Sequence, residues 1–305
     1  MKQKSEPIVF FGSGPVAAES LRLLRQDFEI EAVITKPRPA HHRGDVPVLT
    51  LAKELGLKTF TVANKAELDA LIATSPVQSR LGVLVDFGII ISQEVINYFP
   101  LGIVNSHFSI LPEWRGADPI TFAVLSGQKQ TGVSIMLLVA AMDEGPLLGY
   151  GEYDMPEGIT TPALTSDLTL LSDALLKHEL PRYLAGETEG MPQTITGRNV
   201  SYSRRLSKDD SVLDWHKPAD VLEREIRAFI DWPKSRTKLG PIEVVITGAH
   251  VIDLRGVPGS LTVVDKQLVV HCGAQSLVID QLKPAGKPQM SGRAFLAGYA
   301  SQLSL

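Results

Sequence analysis

PIVFFGSGPVAAESLRLL, residues 7–24, is the stretch whose reading decides the fold. The apolar run at 7–11 reads as a buried strand, and the apolar positions of 16–24 recur at helical spacing. Between them Gly12, Gly14 and Ala17 fit the pattern G-x-G-x-x-A, and a second strand follows at 31–34. This is a β-turn-α-β unit, the opening of an α/β fold with a mostly parallel sheet. In such a turn the glycines let a phosphate approach a helix N-terminus. The acid that would hold a ribose belongs at the end of the second strand, where Thr35, Lys36, Pro37 and Arg38 stand instead. Two readings stay open: a turn needed only to pack the unit, and a NADP-type reader using Arg38.

The chain has 305 residues, 44% hydrophobic and 21% charged, which is ordinary for a soluble globular protein of two domains. A single cysteine, Cys272, excludes an internal disulfide and a cysteine-based metal cluster. No apolar run approaches the roughly 20 residues of a membrane span, so the expectation is a cytoplasmic protein with no membrane partner. The net charge of −4 carries no global sign of nucleic-acid binding. Residues 206–305 hold 12 Lys+Arg against 11 Asp+Glu, a mild asymmetry that permits a tRNA-sized partner there without demanding one.

Outward from the first unit, 39–50 is a polar, proline-broken loop with His41, His42 and Arg43 in a row. Adjacent side chains diverge, so the pair does not suggest a metal cage; a substrate-facing loop and a merely solvated one both fit. Helices are expected at 51–56, at 65–74 capped by Asn64, and from a Ser92 cap to 97. Strands are expected at 58–62 and 81–85, the latter running into Asp86-Phe87-Gly88. A helix at 119–126 precedes strands at 131–139 and 147–153, which flank an acidic turn, Asp143-Glu144-Gly145-Pro146. A long helix spans 161–184. Residues 186–205, with scattered Gly, Pro, Thr and Asn and no periodicity, read as a linker. Beyond it come a helix at 221–230 and short strands at 243–246, 260–264, 267–271 and 276–281, closely spaced as in a small β-barrel. The expected organisation is therefore 1–185, a linker at 186–205, and 206–305.

VNSHFSILPEWRG, residues 104–116, carries the chemistry. Asn105 and His107 alternate at a strand end, so both side chains point to one face. A His sharing a proton with a carboxylate such as Asp143 is a better base, and an Asn amide can stabilise an oxyanion. No serine or cysteine stands where it could act as nucleophile. A donor plus an acid/base group without a protein nucleophile points to direct transfer of an acyl-level carbon between two bound substrates. Each residue also has a purely structural reading, His107 as a hydrogen-bonded strand-end His and Asp143 as a turn former.

The segment NSHFSILPEWRG resembles the N-x-H-x-S-L-L-P-x-x-R-G motif of the 10-formyltetrahydrofolate-dependent formyltransferases. Met142 to Pro146 resembles that family's D-x-G element, and 83–90 falls where the family has its pterin-facing strand. YSRRLSKDDSVLDW (202–215), Arg227 to Phe229 with Trp232-Pro233, and LKPAGKPQM (282–290) are similar to its tRNA-directed branch. The resemblance implies a doubly wound catalytic domain whose glycine turn serves shape and not NAD, followed by an OB-like domain that helps hold tRNA. It implies 10-formyltetrahydrofolate as co-substrate, no metal, and the amino group of initiator methionyl-tRNA as acceptor, in a monomeric enzyme. His107 would shuttle the proton, Asp143 would be its partner, and Asn105 would hold the formyl oxygen. Phe87, Gly88, Ile89 and Ile90 with Ser109, Ile110, Leu111 and Pro112 would line the folate pocket, and Arg43 would track tRNA phosphate. Three positions depart from the pattern. Asp45-Val46-Pro47 follow Arg43-Gly44 in a short loop poor in lysine, Gly14-Pro15-Val16 replace a proline-acid-aromatic run, and Asp86 stands where a small residue is common. An amino-sugar nucleotide remains the alternative acceptor. A NADP-dependent reductase and a non-catalytic RNA-binding protein are the readings from other classes.

Overall fold

The computed structural model describes residues 6–38, 44 and 46–303. Strands β1 (Ile8–Phe11), β2 (Ile30–Thr35), β3 (Thr59–Thr61), β4 (Leu81–Leu84) and β5 (Ile103–His107) are joined by helices α1 (Pro15–Leu24), α2 (Pro47–Glu54), α3 (Lys65–Ala73) and α4 (Gln93–Tyr98). The first turn is the β-turn-α-β unit read from the sequence, with Pro15 in the first turn of α1. Asn64 accepts from the Glu67 N–H at 3.0 Å and Ser92 from the Val95 N–H at 3.2 Å, so both expected caps are in place.

The two-residue strand β6 (Arg115–Gly116), helix α5 (Pro119–Ser126), strands β7 (Gln130–Leu137) and β8 (Leu147–Asp154) and helix α6 (Thr161–Leu184) follow. The seven-stranded sheet runs β3-β2-β1-β4-β5-β7-β8. Its first five strands are parallel, and β7 and β8 are antiparallel additions. The order reverses between β1 and β4, so this is a doubly wound sheet with its switch point there. Parallel strands buried on both faces need continuous apolar runs, which IVFF supplies with all four residues buried.

The chain folds into two compact units that do not follow chain order. Unit 1 contains 1–119, 130–154 and 165–203; unit 2 contains 120–129, 155–164 and 204–305. The segment read as a linker is not a free tether through 203. Met191 bridges Leu147, Gln193–Thr196 forms a 3-10 turn, and β9 (Tyr202–Ser203) pairs in parallel with β6. Its backbone bonds Leu147, Pro112 and Arg115 of unit 1.

In unit 2, helix α7 (Ala219–Ala228) precedes strands β10 (Ser235–Leu239), β11 (Ile242–Ile252), β12 (Leu261–Val264), β13 (Gln267–His271), β14 (Ser276–Pro284) and β15 (Met290–Ser291), and helix α8 (Gly292–Tyr299) follows. The sheet is antiparallel in the order β10-β11-β14-β13-β12, with β15 on β14. This is the small OB-like β-unit expected, as an open sheet. Its core gathers Leu222 and Ile226 of α7, Ile246, Val270, Leu277 and Leu282 of the sheet, and Phe295 of α8. The sequence reading passed over β10 and α8: SRTKL alternates weakly, and GRAFLAGY is too short to display a helical period.

Candidate active site

Strand β5 lies between β4, in parallel register Leu84↔Asn105, and β7, in antiparallel register His107↔Ser134. Alternation along β5 sends Asn105 and His107 to one face and Ser106 to the other, where its hydroxyl meets the Ser172 hydroxyl at 2.6 Å. Asn105 and His107 are both buried. Among the described residues the Asn105 amide has no hydrogen-bond partner, which leaves a preorganised donor at the strand end.

The His107 ring is oriented by the loop that follows it. Its Nε2 lies 3.0 Å from the Trp114 carbonyl oxygen. A carbonyl only accepts, so Nε2 carries the hydrogen and a neutral ring keeps its lone pair on Nδ1. Nδ1 faces Asp143 Oδ1 at 3.8 Å, too far for a hydrogen bond and near enough for strong attraction once Nδ1 is protonated. Burial pushes the His107 pKa below the ordinary histidine value, while the Asp143 charge and the Trp114 carbonyl oppose that fall. The result is an imidazole held neutral with a carboxylate waiting at its basic nitrogen.

Asp143 is set by its backbone. It sits at φ +52°, and its Oδ2 accepts the Gly116 N–H at 2.8 Å. Trp114 has φ +53° and Asp86 φ +44°. Residues such as Asp143 and Trp114, non-glycine and in the left-handed region, cost on the order of 1–3 kcal/mol each and persist only where neighbours fix them. Gln193 and Ser201 do part of the fixing. The Gln193 amide donates to the carbonyls of Asp143 (2.7 Å) and Gly145 (3.0 Å), and its oxygen accepts from Arg115 Nη2 (2.7 Å). Arg115 Nη1 reaches Glu144 Oε1 at 3.0 Å. Ser201 Oγ accepts the Trp114 N–H at 2.9 Å. Sequence reasoning missed both residues, since neither stands in a motif nor on a periodic face.

The nearby hydroxyls are spent on structure. Ser109 donates to the Glu113 carbonyl at 2.5 Å, and Ser134 donates to the Ser109 carbonyl while accepting the Leu111 N–H. Cys272 lies in unit 2, buried, with its thiol pushed up to about 11 by desolvation.

The residues expected to line the folate pocket separate into two groups. Ile110 and Leu111 are fully buried, Ser109 and Pro112 are also buried, and Phe87 packs edge-on against Phe11 at 5.6 Å. These five can meet a ligand chiefly through their backbone. Gly88 and Ile90 are exposed, Ile89 is half-buried, and Lys36 Nζ donates to the Gly88 carbonyl at 2.9 Å. Arg43 lies outside the described residues.

The switch-point crevice between β1 and β4 is filled by the chain itself. The Ser13 N–H donates to the Asp86 carbonyl at 3.1 Å and its hydroxyl to the Phe87 carbonyl at 2.6 Å. A Cβ on Gly12 would lie 2.6 Å from the Ala17 Cβ and 2.8 Å from the Val85 oxygen, so this glycine is needed for packing. A Cβ on Gly14 would collide with the Asp86 carboxylate, which therefore sits where a dinucleotide phosphate would approach. Desolvation, with help from Asp118 and against Lys36, pushes Asp86 up to about 6. A carboxylate at that place repels phosphate, and the NADP reading through Arg38 loses its anion cradle.

Comparison with known proteins shows the family. Residues 8–169 match the formyl transferase family, and 205–300 match the formyl transferase C-terminal domain. The chain is 36% identical to the methionyl-tRNA formyltransferase of Methylococcus capsulatus over 303 residues, covering 96% of this chain and 97% of that one. Among solved structures, the Helicobacter canadensis N-formyltransferase in complex with folinic acid and dTDP-3-aminofucose aligns with a TM-score of 0.68 at 16% identity, over 89% of this chain and 98% of that one. HypX from Aquifex aeolicus in complex with tetrahydrofolic acid aligns with a TM-score of 0.63 at 14% identity, over 99% of this chain and 48% of that one. At these identities the two structures speak to the fold alone.

Proposed function

Since the chain belongs to the formyl transferase family, we infer that it transfers the formyl group of 10-formyltetrahydrofolate to the free amino group of methionyl-tRNA, the step that prepares the initiator for translation. The observation that carries this reading is buried Asn105 and His107 facing a half-buried Asp143, with no protein nucleophile beside them among the described residues, in a chain similar along its whole length to a methionyl-tRNA formyltransferase.

10-Formyltetrahydrofolate supplies the formyl carbon, which the amine attacks directly. The chain supplies a donor, a proton acceptor and water exclusion. The Asn105 amide N–H is free to meet the formyl oxygen as negative charge develops on it, an interaction typically worth about 3 kcal/mol. His107 Nδ1, neutral and unbonded, takes the proton that the amine releases, and Asp143 stabilises the imidazolium so formed. Returning that proton to the departing nitrogen resets the imidazole. No metal is required, because the charge is met by the Asn105 donor and by proton transfer. The segment from Gly88 to Ile90 and the backbone of 109–112 are assigned to the folate, with Phe87 supporting from the core.

The unit bearing 206–305 is assigned to tRNA, with Arg43 on its phosphate. The enzyme is taken as a cytoplasmic monomer; among the described residues no helix is long and apolar enough to cross a membrane. The deciding experiment supplies 10-formyltetrahydrofolate with charged initiator tRNA, charged elongator methionyl-tRNA or an amino-sugar nucleotide. Formylation of charged initiator tRNA at a rate well above the other two is expected. Preference for the sugar nucleotide overturns the acceptor, and no transfer to any of the three overturns the reaction.

A further inference from the structure

We propose that Gln193, carried by a strap outside both matched family segments, is a positioning residue that holds the Asp143 turn at its working distance from His107. The inference rests on the reading of His107 and Asp143 given above. The strap, residues 191–203, bonds the loop that orients His107 and the turn that carries Asp143. On the histidine side, Ser201 Oγ accepts the Trp114 N–H and the Ser201 carbonyl accepts the Arg115 N–H at 3.0 Å. These bonds fix the peptide whose carbonyl orients His107 Nε2. On the carboxylate side, Gln193 holds the carbonyls of Asp143 and Gly145, the two ends of the turn.

The chemistry of the position selects glutamine. Two donors face two carbonyls, and one acceptor faces the Arg115 guanidinium, so every polar atom of this buried side chain is used. Glutamate keeps the Arg115 bond but turns an oxygen toward both carbonyls. Methionine keeps the length and loses all three bonds, and asparagine lacks one methylene of reach. Arg115 thereby gains a role as well. Held between Gln193 and Glu144, it ties the turn to the strap. Asp143 sits at positive φ, so without the clamp its turn relaxes toward an ordinary backbone conformation and carries the carboxylate away from Nδ1.

The test uses the full chain with Gln193→Met and Gln193→Glu beside wild type and Asp143→Asn. Two readouts are taken: the kcat and folate KM of formyl transfer, and the His107 imidazole titration followed by NMR on the substrate-free protein. The expected result is a 10- to 100-fold loss of kcat in both Gln193 variants, with folate KM within twofold of wild type. In Gln193→Met the His107 titration should move to lower pH, as is also expected in Asp143→Asn. A titration equal to wild type beside a lowered Tm would make the strap a structural stitch only and overturn the proposal, and so would kcat within twofold of wild type in Gln193→Glu. If Gln193→Met does not fold, Gln193→Glu is read by the same kcat and KM comparison. The titration needs no substrate, so failure of wild type to formylate methionyl-tRNA would count against the proposed function and leave this inference separately readable.

Discussion

Asp143→Asn separates the charge of the acid/base pair from its shape. The amide keeps the size of the carboxylate, and its oxygen can still accept the Gly116 N–H now held at 2.8 Å by Oδ2. The negative charge 3.8 Å from His107 Nδ1 is lost. At that separation and an effective dielectric of about 20, the attraction between imidazolium and carboxylate is about 4 kcal/mol before screening. Solvent at the partly exposed edge of Asp143 reduces this, and the His107 titration should move to lower pH in the variant. The sign follows from burial already depressing the wild-type value: His107 stays neutral below the ordinary pKa of about 6.5, and removing Asp143 depresses it further. In wild type the acid limb of kcat/KM should accordingly lie below pH ~6.5. Turnover in Asp143→Asn should drop by about 10²–10⁴, the usual worth of a positioned acid/base group, with folate affinity little changed. The assay is formyl transfer to charged initiator tRNA across pH, paired with NMR titration of the imidazole. A His107 pKa unchanged in the variant would refute the electrostatic coupling, and near-normal turnover would refute the catalytic assignment.

Three further outcomes are expected. Asn105→Ala should cost about 10²–10³ in kcat with folate binding and Tm near wild type, because its amide bonds no described residue and acts only on the developing oxyanion; steady-state kinetics and thermal melts check this. Asp86→Asn should stabilise the protein at neutral pH by less than about 1 kcal/mol, the small figure reflecting solvent screening. The Asp86 pKa near 6 exceeds the unfolded value, so this residue makes the fold less stable as pH rises from about 4 to 6 and the deficit persists above; urea melts of both proteins at pH 4 and 7.5 should show the difference only at the higher pH. Phe295→Ala, which empties a fully buried site in the unit 2 core, should destabilise that unit by about 3–5 kcal/mol, read from denaturant melts.

Much of the molecule was legible in its sequence because local rules govern it. The apolar run of β1, the caps at Asn64 and Ser92 and the alternation of Asn105 with His107 each depend on residues within a turn or two of one another. Those rules sufficed for the α/β class, for a second β-rich unit and for a candidate site at the end of β5, and motif resemblance added the reaction. Tertiary structure decided what depends on groups distant in sequence. It set Nδ1 of His107 against Asp143, turned Ile110 and Leu111 into the core, and laid the Asp86 carboxylate over the glycine turn. It also drew residues 191–203 across two loops as a clamp. Side chain-to-backbone hydrogen bonds between remote loops leave no period and no motif, so Gln193, in a stretch that reads as linker, acquires meaning only once the chain has folded.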